Sequence, residues 1–344
     1  MPVLGAGGGG GGKSVLQTIS FINSTTWSPA QDMNAKIYVI GGGGSGGAAQ
    51  YIATGGGAGG CAVTIADLDA STTYTITIGA GGLPVVHGPN NGNAGSNTTF
   101  SGTGISTMTG SGGQAGLYNN DQGGAKAGGA GGAASGGTYG NFTGGAGGAT
   151  SGSGALAMVT GGGAVGLWAT GTSAPGVAGS AAAAGDTTMF FNSGGWTIGA
   201  GSGASVGGTF LSRYHTASGS AGYEDIVRGP MGGFLSLIAG GQASDMDARV
   251  YNKSKYGNMP MGVGSPFSYA STSTSSTGGM QAGAFAGSGG VFSPTQAGYW
   301  GIAGPAGIGG GGGAAINYAN YTNADSKSGH GGVGCVLIEV LEYK

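Results

Sequence analysis

Gly128-Gly129-Ala130-Gly131-Gly132-Ala133 repeats every three residues, and Gly144-Gly145-Ala146-Gly147-Gly148-Ala149 repeats the same pattern. Related tracts run over 41–47, 55–60 and 309–313. A period of three fits neither the α-helix, at about 3.6, nor the strand, at about 2. It fits the polyproline-II helix, which has three residues per turn, a rise of about 3.1 Å per residue and no internal hydrogen bonds. When glycine fills most positions, neighbouring helices touch and their N–H and C=O groups pair sideways, as in polyglycine II. The reading is therefore an all-β or irregular chain. Short antiparallel strands stand at the chain ends, around a core of bundled polyglycine-II helices with loops at their ends. The alternative is a set of glycine-rich loops and short strands.

Composition sets the terms of that choice. Glycine accounts for 89 of 344 residues, and only 10 basic and 12 acidic side chains are present. A doubly wound enzyme, a helical bundle or a coiled coil needs side chains that this chain lacks. Collagen needs a strict Gly-X-Y repeat and abundant proline, and here there are 10 prolines. Glycine loses more freedom on folding than any other residue, roughly 0.5–1 kcal/mol more than alanine in a helix or strand. A chain this rich in glycine needs a dense compensating network. Mean hydropathy is +0.10 and aromatic residues make up 8 % of the chain, which favours order over low-complexity disorder.

Charge and cysteine content narrow the function classes. A net charge of −2 gives no basic face, so nucleic-acid binding is not expected. No run of about 18 apolar residues occurs, so no membrane insertion is expected. The N-terminus lacks the features of a signal peptide. Cys61 and Cys335 are too few for a disulfide scaffold, and the reading is assembly in a reducing cytoplasm. Each cysteine follows a glycine tract and opens an apolar strand, as a small buried residue would.

Strands are legible at Ile19–Ile22, Ala35–Ile40, Cys61–Ile65, Thr73–Ile78 and Cys335–Leu341. In Thr73–Ile78, Tyr74, Ile76 and Ile78 share one face and threonines the other. Asp67–Ser71 reads as a turn. The chain divides into an N-terminal assembly arm (1–18), a strand-containing glycine-rich region (19–126), a nearly uncharged polyglycine region (127–212), a charged, polar, loop-rich insertion (213–277) and a glycine-rich region with a closing strand (278–344). Leu83–Phe100, Val165–Pro175, Thr187–Ile198, Val291–Pro305 and Ile316–Lys327 read as loops at the ends of the glycine helices.

Motifs for catalysis are weak. Gly7–Ser14 fits G-x-x-x-x-G-K-[ST], but any six-glycine run before Lys-Ser would, and no buried strand precedes it. His87, His215 and His330 lie far apart, without a Cys or His at ligand spacing. Asp245 and Asp247 lack the rest of a Ca²⁺ loop. The expectation is no enzyme, no cofactor and no metal. The aromatics Trp168, Phe190, Phe191, Trp196, Tyr299 and Trp300 fall in the bulky segments between glycine tracts. They either cap the bundle ends or stand on rigidly mounted loops as contact residues.

The order of these segments resembles the glycine-rich domain of bacteriophage tail fibres and receptor-binding proteins. The stretch Ser20-Phe21, Thr26-Trp27-Ser28-Pro29-Ala30, then Ala35–Ile40 running into 41–47, carries the resemblance. So do Gly59–Ile65, Thr72–Gly82 and the closing Gly329–Glu339. The resemblance implies a virion protein made in the host cytoplasm, with end loops that contact a host cell-surface glycan or outer-membrane protein. It implies an N-terminal arm that meets other virion proteins, and a homo-oligomer with the trimer favoured. The rival reading is a purely structural virion component, such as a head fibre, a decoration protein or a tail-assembly subunit. The charged 213–255 segment and the N-terminal arm depart from the pattern.

Overall fold

The computed structural model describes residues 15–86, 88–119, 125–151, 158–174 and 327–344, together with 177–178, 213–217, 220–224, 268–269, 277–278, 285, 287–288, 290–293, 301–303 and 306–317. Among the described residues the protein is all-β, without an α-helix. Ten strands form a sandwich: β1 (Gln17–Phe21), β2 (Thr25–Trp27), β3 (Met33–Ile40), β4 (Cys61–Leu68), β5 (Tyr74–Thr77), β6 (Thr98–Gly102), β7 (Ile105–Gly110), β8 (Ala134–Ser135), β9 (Gly140–Phe142) and β10 (Cys335–Tyr343). One sheet has the order β1-β10-β3-β4-β9 and the other β8-β7-β6-β5-β2, and all their pairings are antiparallel.

Alternation decides which side chains face inward. Met33, Ala35, Ile37 and Val39 of β3 meet Tyr74 and Ile76 of β5, Phe100 of β6 and Met108 of β7. From β10 come Val336, Ile338 and Val340. Tyr74 stacks on Phe100 with ring centroids 5.3 Å apart, and Trp27 and Phe21 extend the aromatic row. Thr75 and Thr77 face solvent, as the alternation in Thr73–Ile78 requires. The closing strand lies between β1 and β3, so the first and last strands of the chain share a sheet.

From β3 onward every strand adjoins a glycine tract: β3 runs into 41–47, 55–60 runs into β4, 92–97 into β6, 128–133 into β8 and 329–334 into β10. β5, β7 and β9 lead into 79–82, 110–116 and 144–148. In the sandwich, side chains hold the two sheets apart, at a spacing typically near 10 Å. Where side chains stop, the layers close up and the backbones bond directly.

The three-residue period of the sequence reappears in these bonds. The amides of Gly41, Gly44 and Gly47 donate to the carbonyls of Gly60, Gly57 and Thr54. Those of Gly42 and Ser45 donate to Ser96 and Asn93, and those of Gly43 and Gly46 to Gly332 and Gly329. In return the carbonyls of Gly42 and Ser45 accept from Gly113 and Gly116, those of Gly44 and Gly47 from Gly312 and Ala315, and that of Gly43 from Gly82. A strand in a sheet has two neighbours; tract 41–47 has six. Tract 55–60 is ringed likewise. Its bonds run to 41–47, 110–116, 128–133, 144–148, 161–166 and 307–314. A buried amide without a partner costs about 1–3 kcal/mol, so such a core is stable only when its bonding is complete.

The residues that interrupt the glycine pattern finish this network. Ala130, Ala133 and Ala149, each third in its repeat, stand exposed, while Gly129, Gly132 and Gly148 are buried. Side chains complete the network too, from the surface at Asn97 and in the interior at Thr160 and Ser288. Asn97 Oδ1 accepts from the Gly112 amide at 3.0 Å, Thr160 Oγ1 from Gly55 at 3.0 Å and Ser288 Oγ from Gly313 at 2.7 Å.

Several sequence readings are corrected. Leu83–Phe100, read as a loop, contains tract 92–97 and the start of β6. Its Asn and Ser side chains turn outward or cap, so the backbone packs as a glycine tract would. Thr25–Trp27, absent from the strands read in the sequence, pairs with β5. β4 runs on to Leu68, so the turn begins at Asp69, where the Thr72 amide bonds the Asp69 carbonyl. Asp67 is a strand residue that accepts from Asn34 and pairs with Lys344 Nζ at 2.7 Å.

Cys335 and Cys61 both pair with Ile40, from opposite sides. Two strand spacings, roughly 10 Å, separate them, too far for a bridge. Both are free and buried. Burial pushes the Cys61 thiol up to about 12, and Cys335 higher still. Neither thiol is expected to react with an aromatic disulfide reagent at pH 8 in the native protein, and both are expected to react once it is unfolded. Both groups hold their protons more tightly folded than unfolded. Their contribution is therefore complete below pH 9 and lost as pH rises toward 12.

Candidate partner-binding surface

Among the described residues, the outer face of the β1-β10-β3-β4-β9 sheet is covered at one end. There Val165, Leu167 and Phe285 pack over Ile40, Cys61 and Cys335. Val165 and Leu167 anchor the bend that follows tract 161–166, and the next residue, Trp168, stands 47 % exposed. Its indole lies beside the Tyr38 side chain. Tyr38 donates its hydroxyl to Glu339 Oε2 at 3.1 Å. Burial, with the Glu339 charge behind it, holds the Tyr38 phenol well above its ordinary value.

Beyond Tyr38, among the described residues, Lys36 and Glu339 are half-buried and Thr18 and Ile65 exposed. Register aligns Thr18, Glu339, Lys36 and Ile65 in a row across β1, β10, β3 and β4. Lys36 Nζ lies 5.0 Å from the Tyr38 ring centroid and 4.6 Å from that of Tyr139. Tyr139 is 58 % exposed. It sits on the turn between β8 and β9, where Gly136 takes φ +79°, a conformation natural to glycine. The Tyr139 amide bonds Val63, and Asn141 closes the turn onto Gly137. Two exposed aromatic rings thus flank a charge-balanced row on a rigid sheet.

Of the aromatic residues singled out in the sequence, Trp168 is placed here, and Phe190, Phe191, Trp196, Tyr299 and Trp300 lie outside the described residues. The sequence reading missed Lys36, Tyr38, Tyr139 and Glu339. A signal existed: Lys36 and Glu339 are charges of opposite sign inside apolar strands, as a cross-strand pair would be. Gly7–Ser14, His87, Asp245 and Asp247 lie outside the described residues. Among the described residues no three His, Cys, Asp or Glu side chains are grouped to hold a metal ion. No helix there is long and apolar enough to cross a membrane.

A family model described as a glycine-rich domain matches residues 19–233, well over half of the chain. The chain belongs to this glycine-rich domain family. No curated protein matches it. The glycine-rich domain match ends before β10, yet β10 fills the place between β1 and β3, both of which lie largely or wholly within the match. Tracts 307–314 and 329–334, which complete the ring around 41–47, also lie past it.

Proposed function

We propose that this glycine-rich domain is a non-enzymatic bacteriophage virion protein, a tail fibre or receptor-binding adhesin. Its core is a bundle of polyglycine-II helices, and the core mounts aromatic side chains for contact with the host cell surface. The observation that carries the reading is the rotation of hydrogen-bond partners every three residues along 41–48. A threefold helix without internal bonds requires such rotation, and a sheet does not produce it. A core tied laterally in six directions lets the segments at its ends vary without loss of the mount. Trp168 and Tyr139 suit a host glycan or outer-membrane protein, because exposed rings beside hydrogen-bonding groups dominate recognition surfaces. The N-terminal arm would meet other virion proteins.

The test is binding of the labelled full chain to the bacterial host. Saturable binding that blocks phage adsorption is expected. Trp168→Ala is expected to weaken binding about 30-fold while leaving the melting curve nearly unchanged. A folded protein that neither binds nor blocks would contradict the adhesin reading and favour a structural virion subunit.

A further inference from the structure

The sandwich has four edge strands, and three are blunted. β2 and β9 have three residues each and β8 has two. Short edges are a common protection against unwanted pairing, along with lysine, proline and bulges. β1 has none of these. It is five residues long, Gln-Thr-Ile-Ser-Phe, without charge or proline. β10 pairs with its inner side, and among the described residues nothing pairs with its outer side.

We propose that β1 is the seam of a homodimer, in which the β1 strands of two copies pair antiparallel about a twofold axis through Ile19. The two five-stranded sheets become one of ten strands. The sequence around β1 is self-complementary in this register. Ile19 and Phe21 pack inward on the sandwich core. On the other face stand Leu16, Thr18, Ser20 and Ile22, all exposed. The twofold axis sets Thr18 opposite Ser20 of the second copy, a hydroxyl pair that stabilises a cross-strand contact. One step beyond each end it sets Leu16 opposite Ile22. These side chains are 56 % and 54 % exposed in the single chain, and the seam would cover both. No like charges meet. An antiparallel pair of identical edges closes at two copies, so this seam gives a dimer and not the trimer implied by the fibre resemblance.

Sedimentation of the full chain tests this. The expected species has about twice the 32.3 kDa monomer mass. Thr18→Lys with Ser20→Lys sets lysine against lysine at both symmetric pairs and is expected to raise the dissociation constant about 100-fold or more. Thr18→Lys with Ser20→Glu sets opposite charges at the same positions, with the lysine beside Glu339 of its own sheet, and is expected to keep the dimer. Both pairs of changes are on exposed side chains, and an unchanged melting curve verifies the fold. A wild-type monomer or trimer, a dimer indifferent to the lysine pair, or a folded glutamate–lysine variant that is monomeric would each overturn the proposal.

Discussion

Gly43→Ala is expected to abolish cooperative folding. A Cβ at Gly43 would lie 1.9 Å from the Gly310 carbonyl oxygen and 2.5 Å from its carbon. The obstacle is backbone held by its own lateral bonds, so no rotamer change relieves it. Overpacking in ordinary cores costs about 1–3 kcal/mol because side chains give way. Here a tract must move, and its bonds to Gly82 and Gly332 go with it. We expect a loss of about 4 kcal/mol or more, a large part of a typical domain's net stability. Ala133→Ser is the control. Ala133 occupies the exposed third position of its repeat, and a change there should fall within about 0.5 kcal/mol of wild type. Thermal denaturation of the two variants measures both.

Deletion of residues 335–344 is expected to leave the protein without its native fold. β10 is an interior strand, so its loss unpairs β1 on one side and β3 on the other. Val336, Ile338 and Val340 are fully buried, and Leu337 nearly so. At about 1.5–3 kcal/mol for each side chain removed from the core, the loss is roughly 6–12 kcal/mol, comparable to the whole stability of a domain. The truncated chain should be insoluble, or should lack a cooperative melt. A soluble truncation with a native-like melt would show that the family-matched region folds without its closing strand.

The sequence carried the fold unevenly. Strands rich in β-branched and aromatic residues, at 35–40, 61–65, 73–78 and 335–341, were legible because alternation and composition agree there. β6 and β7 were missed because Thr, Ser and Gly dilute the alternation of Thr98, Phe100 and Met108. The triplet repeats at 128–133 and 144–149 pointed to lateral bonding, and their exposed alanines follow from the same period. Which tracts lie side by side was not legible. Glycines carry no side chains to mark neighbours, and partners such as Gly41 with Gly60 and Gly43 with Gly332 are set by the strands they continue. Trp168 was legible as a bulky residue after a glycine tract. Its setting beside Tyr38, Glu339 and Lys36 depends on register between strands some 300 residues apart, which no local pattern reports.

The glycine tracts, as proposed above, form a hydrogen-bonded polyglycine-II core rather than a collection of loops. Amide hydrogen exchange over 41–47 and 55–60 distinguishes the two. These amides are expected to exchange as slowly as those of β3 and β4, since both sets open only with the whole fold. Exchange of the tracts at the rate of free peptide, with β3 and β4 still protected, would contradict it.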